Sequence, residues 1–358
     1  MNDIISRILN DSITAPSPDN FQPWRFEVAE NEISVFKVPG KVNHLLDCND
    51  HVLILTNGML IENIVIAASN YGYRPDLTFF PDKSISDLVA KVHLTREPNI
   101  ISDPLYHFLK TRCTNRKLYS KRNIPAEIIS DLKTTQNGFP ELGLQIITDQ
   151  HQIKALGSAV STIDKIMFEN KELHDSLFAH ITWSKQEEQK SNEGLNLDSM
   201  EFNFAEKLLF RTLKNWTVVR FLNMFGFSNF VRFKNSKQYS SASASVIVSA
   251  KQGSLIDYMN AGRFVQRFWL KATEHNLSLH PIVGVIYCYQ KVTEEKSGLF
   301  SVAHSKLLED NYQLLHSISA TPNNANSPVV FYFRMGYAKK TSYQSSRKKA
   351  EIKFTEKK

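Results

Sequence analysis

Four short segments of this sequence carry groups suited to holding a ligand rather than to breaking bonds. Residues 15–26 read APSPDNFQPWRF. Prolines at 16, 18 and 23 keep the segment extended or turned, and Pro23 pushes Gln22 out of the helical region. Ser17, Asn20 and Gln22 then offer a hydroxyl and two amides from a loop ahead of a strand. Amides both donate and accept, which suits a heterocycle with mixed edges such as a flavin; the plainer reading is a turn anchored by Trp24. Residues 111–117 read TRCTNRK. Arg112, Thr114 and Arg116 alternate, so in an extended segment they share a face. Two guanidinium groups and a hydroxyl there make a phosphate clamp, because Arg meets phosphate oxygens bidentately; a basic solvated loop is the alternative. Residues 279–285 read LHPIVGV, and a Pro-to-Gly loop of this kind exposes backbone N–H groups. His280 is either a proton donor or a structural residue. Ser345-Ser346-Arg347-Lys348-Lys349 would complete a phosphate site if the fold brings it beside Arg112 and Arg116.

Several chemistries find no support. There is no GxGxxG after a strand, no GxxxxGK[ST], no GxSxG and no HExxH. Cys48, Cys113 and Cys288 are odd in number and widely spaced, which argues against a disulfide framework or a zinc site and fits a reducing cytoplasm. No side chain stands out as an acid, base or nucleophile, so no catalytic residue and no metal ligand is assigned. The formal charge of +7 favours anionic partners such as a phosphate-bearing cofactor. Part of it sits in a basic end containing Lys339, Lys340, Arg347, Lys348, Lys349, Lys353, Lys357 and Lys358, read as a solvated tail and not as a nucleic-acid site. The first residues lack the apolar core of a signal peptide. No run of eighteen or more uninterrupted apolar residues predicts a transmembrane segment.

The elements that must position these residues follow from the apolar pattern. Phe26 and Val28, then Ile33 and Val35, predict a hairpin. Val52 to Leu55 reads as a short buried strand, followed by a helix from about Gly58 to Tyr71 with Ile61, Ile64, Val65 and Ala68 on one face. Further strands are expected around residues 88–94, 144–148, 245–250 and 329–333, and residues 152–232 read as mostly helical. Strands do not alternate with single helices, so the class is α+β rather than a doubly wound parallel sheet. An internal echo stands out. GMLIENIVIAASNYGY (58–73) and GRFVQRFWLKATEHNL (262–277) match at a constant offset of 204, with Gly58 meeting Gly262, Ile61 meeting Val265 and Ala68 meeting Ala272. This period is too long for a solenoid and reads as duplication of a whole domain.

Together the four segments resemble the nitroreductase superfamily. APSPDNFQPWRFEV is similar to its flavin-contacting A-P-S-x-x-N-x-Q-P-W-x-F segment, and RCTNRKLYSKRNIPAEII to its opening R-x-S-x-R motif. LHPIVGV resembles the P-I-x-G loop facing the flavin N5 edge, and FRMGYAKK…SSRKK the closing x-G-Y…S-x-R-R segment. The Arg motif ordinarily precedes N-x-Q-P-W; here it follows. That order is similar to the fused-dimer, dormancy-associated branch. The resemblance implies a nitroreductase-like α+β fold of two tandem repeats forming an intramolecular pseudo-dimer, with a first, incomplete repeat over 1–105. A second repeat over 106–358 would carry a helical insertion at about 152–232 and the basic tail. It further implies one FMN site across the internal interface, with Pro16, Ser17, Asn20 and Gln22 on the ring and ribityl side. Arg112, Thr114 and Arg116 would hold the phosphate and ribityl chain. Pro281, Ile282, Val283 and Gly284 would lie at N5, the Val283 N–H foremost, and Arg347 or Lys348 would close on the phosphate. The implied activity is NADH- or NADPH-dependent reduction of a small electron-poor acceptor (nitro compound, quinone or enone). The alternative is a flavin-storing protein with a lid, for which residues 200–235 are the candidate, ahead of a third reading of the same stretch as a membrane-surface attachment. The chain would be a cytoplasmic monomer with an internal pseudo-dimer, or a dimer of such chains.

Overall fold

The structure, a computed structural model, describes residues 2–42, 45–295, 298–319 and 327–355; Lys357 and Lys358 lie outside the described residues. In chain order the elements are α1 (Asn2–Ser12), β1 (Trp24–Ala29), β2 (Glu32–Lys37), α2 (His51–Asn70), β3 (Tyr73–Phe79), β4 (Leu88–Arg96), α3 (Ala126–Lys133) and β5 (Gly143–Ile147). A helical stretch follows: α4 (Gln150–Val160), α5 (Thr162–Met167), α6 (Lys171–His180), β6 (Ile181–Thr182), α7 (Lys185–Ser191), β7 (Leu195–Asn196), α8 (Phe204–Thr212), α9 (Trp216–Asn223) and α10 (Phe227–Tyr239). The chain continues with β8 (Ala244–Ser249), α11 (Leu255–Glu274), β9 (Ser278–Pro281), α12 (Gly284–Thr293), α13 (Val302–Ser319), β10 (Val329–Gly336) and β11 (Ile352–Phe354).

The architecture is α+β. One sheet runs β11-β1-β2-β4-β3 and another β5-β8-β10-β9. In the first, the alternation Phe26/Val28 against Val35/Ile33 fixes the hairpin register, and period-2 burial puts these side chains in the core. Between the sheets lie α2, packed on β2, β3 and β4, and α11, packed on β8, β9 and β10; the two helices pack against each other. The result is a sheet–helix–helix–sheet stack. The other face of the second sheet, including Ile247 and Tyr332, meets α4, α5, α12 and α13 in a second apolar cluster. The insertion has a core of its own around Phe178, Phe210, Leu213 and Val219.

The strand expected at Val52–Leu55 is instead the first turn and a half of α2. A four-residue apolar run cannot be told from a buried helix by periodicity, and α2 is apolar nearly all round because it is buried nearly all round. It is long and apolar enough to cross a membrane by length and composition, yet most of it lies inside the protein. With this correction the echo becomes stricter. Both copies are twenty-residue helices, and His51–Asn70 and Leu255–Glu274 start and end at the same offset of 204. They are joined by polar pairs: Gln266 Nε2 donates to Asn63 Oδ1 (2.6 Å), and Glu62 accepts from Arg263 (3.0 Å) and Arg267 (2.5 Å). The basic tail is not a loose end. β11 adds to β1 in parallel, with Phe26 opposite Ile352, so a segment from the far end of the sequence completes the sheet of the first half.

Candidate functional site

The proline-rich segment turns sharply ahead of β1. Asp19, Asn20 and Gln22 have left-handed φ of 47°, 60° and 52°. Asn and Asp tolerate this region and Gln much less, so the turn stores strain of about 1–3 kcal/mol per residue at most. It is held by the Gln22 N–H donating to Ser17 Oγ (3.0 Å) and the Trp24 N–H donating to the Gln22 carbonyl (2.9 Å). Residues 112–116 run extended, tied to β9 through a bridge between Thr114 and Leu279 and the Asn115 N–H to the Leu279 carbonyl (3.0 Å). The tail passes over both. Arg347 Nη1 donates to Asn20 Oδ1 (2.6 Å), Asn20 Nδ2 to the Ser346 carbonyl (3.0 Å), and the Lys348 N–H to Gln22 Oε1 (2.9 Å).

These three segments enclose a cavity of about 110 Å³, lined by Pro16, Ser17, Asn20, Arg112, Thr114, Arg116 and Arg347 among the residues expected. Arg112 is 4% exposed. It donates to the Thr14 carbonyl (2.6 Å), lies 4.7 Å from the Trp269 ring centre, and has no carboxylate partner among the described residues. Its Nε, and that of Arg347, are buried without a hydrogen-bond partner. Burial first, then the neighbouring Arg347 charge, pushes the Arg112 guanidinium down to about 9; burial pushes Arg347 down to about 10. Both remain cationic at neutral pH. Two buried like charges with unused donors are costly unless an anion meets them.

Not every expected residue lines this cavity. Gln22 and Lys348 lie outside its lining and are joined to each other. Pro281, Ile282, Val283 and Gly284 lie outside its lining; a Cβ on Gly284 would come within 2.7 Å of Ile163 Cγ1, so this glycine serves close packing against α5. His280 does not fit the part of a proton donor. It is buried, its Nδ1 accepts from Arg334 Nε (3.1 Å), and burial together with Arg334 and Arg116 holds it neutral, well below the usual imidazole range.

Sequence reasoning passed over Arg334, which lies inside the quoted FRMGY segment. It is fully buried and donates to the carbonyls of Gln238 (2.7 Å) and Lys117 (2.9 Å), so it ties β10 to the segment that carries Arg116. It also missed a cover. Leu195 and Ser199 line the cavity from the insertion. Asn20 Nδ2 (3.3 Å) and Gln22 Nε2 (2.7 Å) both donate to the Asn192 carbonyl. Glu193 pairs with Lys41 (2.8 Å) and with Lys348, and Glu188 with Tyr343. Nothing in the composition of 180–200 signals this role.

A second cavity of about 240 Å³ adjoins Arg116 and is mostly apolar, lined by Phe202, Phe210 and Phe230 together with Asp164, Tyr239 and His280. Burial pushes the Asp164 carboxyl up to about 6, against hydrogen bonds from Asn235 and Tyr239. A raised folded-state value means that stability is full below about pH 4 and is lost as pH rises through 6. Asp164→Asn is therefore expected to raise the unfolding free energy at pH 7.5 by on the order of 1–3 kcal/mol and to leave it unchanged near pH 4, as checked by thermal melts at the two pH values. Among the described residues no group of three or more His, Cys, Asp or Glu could hold a metal ion.

No family model matches the sequence. The chain is similar to an uncharacterised protein of Mycobacterium tuberculosis (strain CDC 1551 / Oshkosh), 22% identical over 281 residues, which are 78% of this chain and 38% of that protein. It is also similar to a candidate NAD(P)H nitroreductase of the same organism, 26% identical over 122 residues, 34% of this chain and 36% of that one. The matches thus span little more than a third of either relative. Among solved structures, one of a candidate nitroreductase from Anabaena variabilis aligns with 94% of this chain and 88% of its own at 12% identity and a TM-score of 0.46.

Proposed function

We propose, from the premise of a nitroreductase-like protein that the α+β fold and the four ordered motifs support, that this chain binds one FMN and uses it as an oxidoreductase. The observation that carries the reading is the pair of buried guanidinium groups, Arg112 and Arg347, which line one cavity with Asn20 and whose Nε atoms have no hydrogen-bond partner. The residues fit the phosphate end of a mononucleotide. Arg112, Thr114 and Arg116 would hold the phosphate and ribityl chain with Arg347 closing on the phosphate, and Ser17, Asn20 and Gln22 would face the ring and ribityl side. The Val283 N–H would face N5. A bound flavin supplies hydride chemistry, so the protein's task is to bind, orient and exclude water. NADH or NADPH would be the reductant and a small electron-poor molecule the acceptor. In this reading residues 1–105 and 106–358 are the two halves of a pseudo-dimer that shares one site.

A second reading, flavin storage with little turnover, draws on the cover. The cavity of about 110 Å³ is below the usual 300–1,000 Å³ of ligand sites. The Asn192 carbonyl takes the amide donors of Asn20 and Gln22, so a ring could enter only with residues 192–199 displaced.

One experiment separates these readings. The purified protein is expected to show the visible bands of bound FMN, or to take up one equivalent on titration; a protein that stays colourless after titration removes both. Stopped-flow mixing of the flavin-loaded protein with NADH or NADPH is expected to bleach the bands within seconds. Bands that persist against both reductants leave storage.

A further inference from the structure

The helices α8, α9 and α10 present a face that the proposed flavin site does not use. Phe204, Met224 and Phe225 are 85%, 78% and 76% exposed, and Leu208, Phe221 and Phe233 are each more than half exposed. Soluble proteins leave single apolar side chains outside; this many on three consecutive short helices, with Phe221 and Phe225 in ring contact at 5.3 Å, point to a surface that meets something. It is not a failed core, because the opposite side of the same helices, with Phe210, Leu213 and Val219, is packed in the core of the insertion. The apolar tip is the turn between α9 and α10, where Gly226 takes a φ of 82°.

The charge of the segment that forms this face is strongly one-sided, although Glu169, paired with Lys165, lies beside Arg220, Phe221 and Met224. Residues 204–239 hold seven Lys or Arg and one Glu, a net +6 against +7 for the whole chain, and no acid follows Glu206 until Asp257. Two of the cations are paired, Lys207 with Asp198 (2.5 Å) and Lys234 with Glu206. Arg211, Lys214, Arg220, Arg232 and Lys237 have no carboxylate partner among the described residues. Lys237 instead lies 4.2 Å over the Phe233 ring, the arrangement of a cation leaning along apolar surface.

We propose that this face docks on an anionic lipid surface, with the Met224–Phe225 turn buried at the level of the headgroups and the unpaired Arg and Lys side chains meeting lipid phosphates. Helices of eight to thirteen residues are too short to span a bilayer and suited to lie in its interface. A surface with this cationic excess gains from anionic lipid through each nearby Lys or Arg, whereas a neutral apolar partner would gain nothing from five unpaired charges.

The test is co-sedimentation of the full chain with vesicles of phosphatidylcholine plus phosphatidylglycerol, and of phosphatidylcholine alone. The protein is expected to pellet with the first and not with the second, and to be released at about 1 M salt, where screening acts within about 3 Å. Changing Met224→Ser together with Phe225→Ser is expected to lower partitioning by about tenfold or more. Changing Arg220→Gln with Arg232→Gln is expected to lower it through the charge alone. Met224, Phe225 and Arg220 are exposed and Arg232 is half-buried, so unchanged circular dichroism is required of each variant before its binding is compared. A protein that stays in the supernatant with anionic vesicles overturns the proposal. So does a chain that elutes as a dimer, returns to a monomer in the Met224/Phe225 variant and ignores lipid, since the face would then be an interface between copies.

Discussion

Arg112→Gln is expected to weaken FMN binding by more than a hundredfold while changing the stability of the ligand-free protein by less than about 1 kcal/mol. The two effects part because of how Arg112 is held. In the folded chain its side chain donates to the Thr14 carbonyl and makes a ring contact with Trp269, together worth about 2 kcal/mol. Against these stand the burial of its charge and the nearby Arg347, the two causes that lower its proton affinity. A glutamine removes gains and costs alike. With a phosphate present the balance changes, because Nε and the second amino group gain acceptors. Losing a bidentate, charge-assisted contact costs about 3 kcal/mol or more, and each 1.4 kcal/mol is tenfold in affinity. Arg334→Gln is the control. It is buried as deeply, but its hydrogen bonds go to His280 and to backbone carbonyls, so its loss is expected to lower the melting temperature. Fluorescence titration of FMN and thermal melts without it read the two quantities. An Arg112→Gln protein that keeps wild-type affinity would remove the phosphate site from the reading.

How much of this was legible before the structure differs by type of residue. Arg112, Thr114 and Arg116 were readable because alternation in an extended segment is a local rule, and they do line one cavity. Asn20 and Gln22 were readable because Pro23 constrains the residue before it, though nothing local says that the backbone there would be left-handed. The Val52–Leu55 error has the same root in reverse: a short apolar run carries no period of its own. The cover from residues 192–199 was illegible, because its contacts are with residues some 170 positions away and are made by a backbone carbonyl, which every residue has. The tail was misjudged for a related reason. Its basic composition reads as solvated, but Arg347 and Lys348 find their partners on the N-terminal turn, more than three hundred residues away.

The largest stability effect is expected where the two long helices cross. A Cβ on Gly58 would lie 2.2 Å from the Met259 carbonyl oxygen and 3.1 Å from Gly262 Cα; one on Gly262 would lie 2.0 Å from the Leu55 oxygen. The obstacles are backbone atoms within helices, so no side chain can swing aside and the helices must separate. Alanine brings a gain in helix propensity of about 1 kcal/mol, but opening the α2–α11 contact forfeits more than that. Gly58→Ala and Gly262→Ala are each expected to destabilise by about 3 kcal/mol, read by urea unfolding. Gly138→Ala, with open space around it, is expected to be near neutral. The double variant tests the geometry further. Leu55 and Met259 stand three residues before Gly58 and Gly262 and at the same offset of 204, so each glycine meets the equivalent point of the other helix. One methyl already forces the separation the second needs, and the pair should fall short of additivity by more than about 1 kcal/mol. Full additivity would mean that the two contacts are independent.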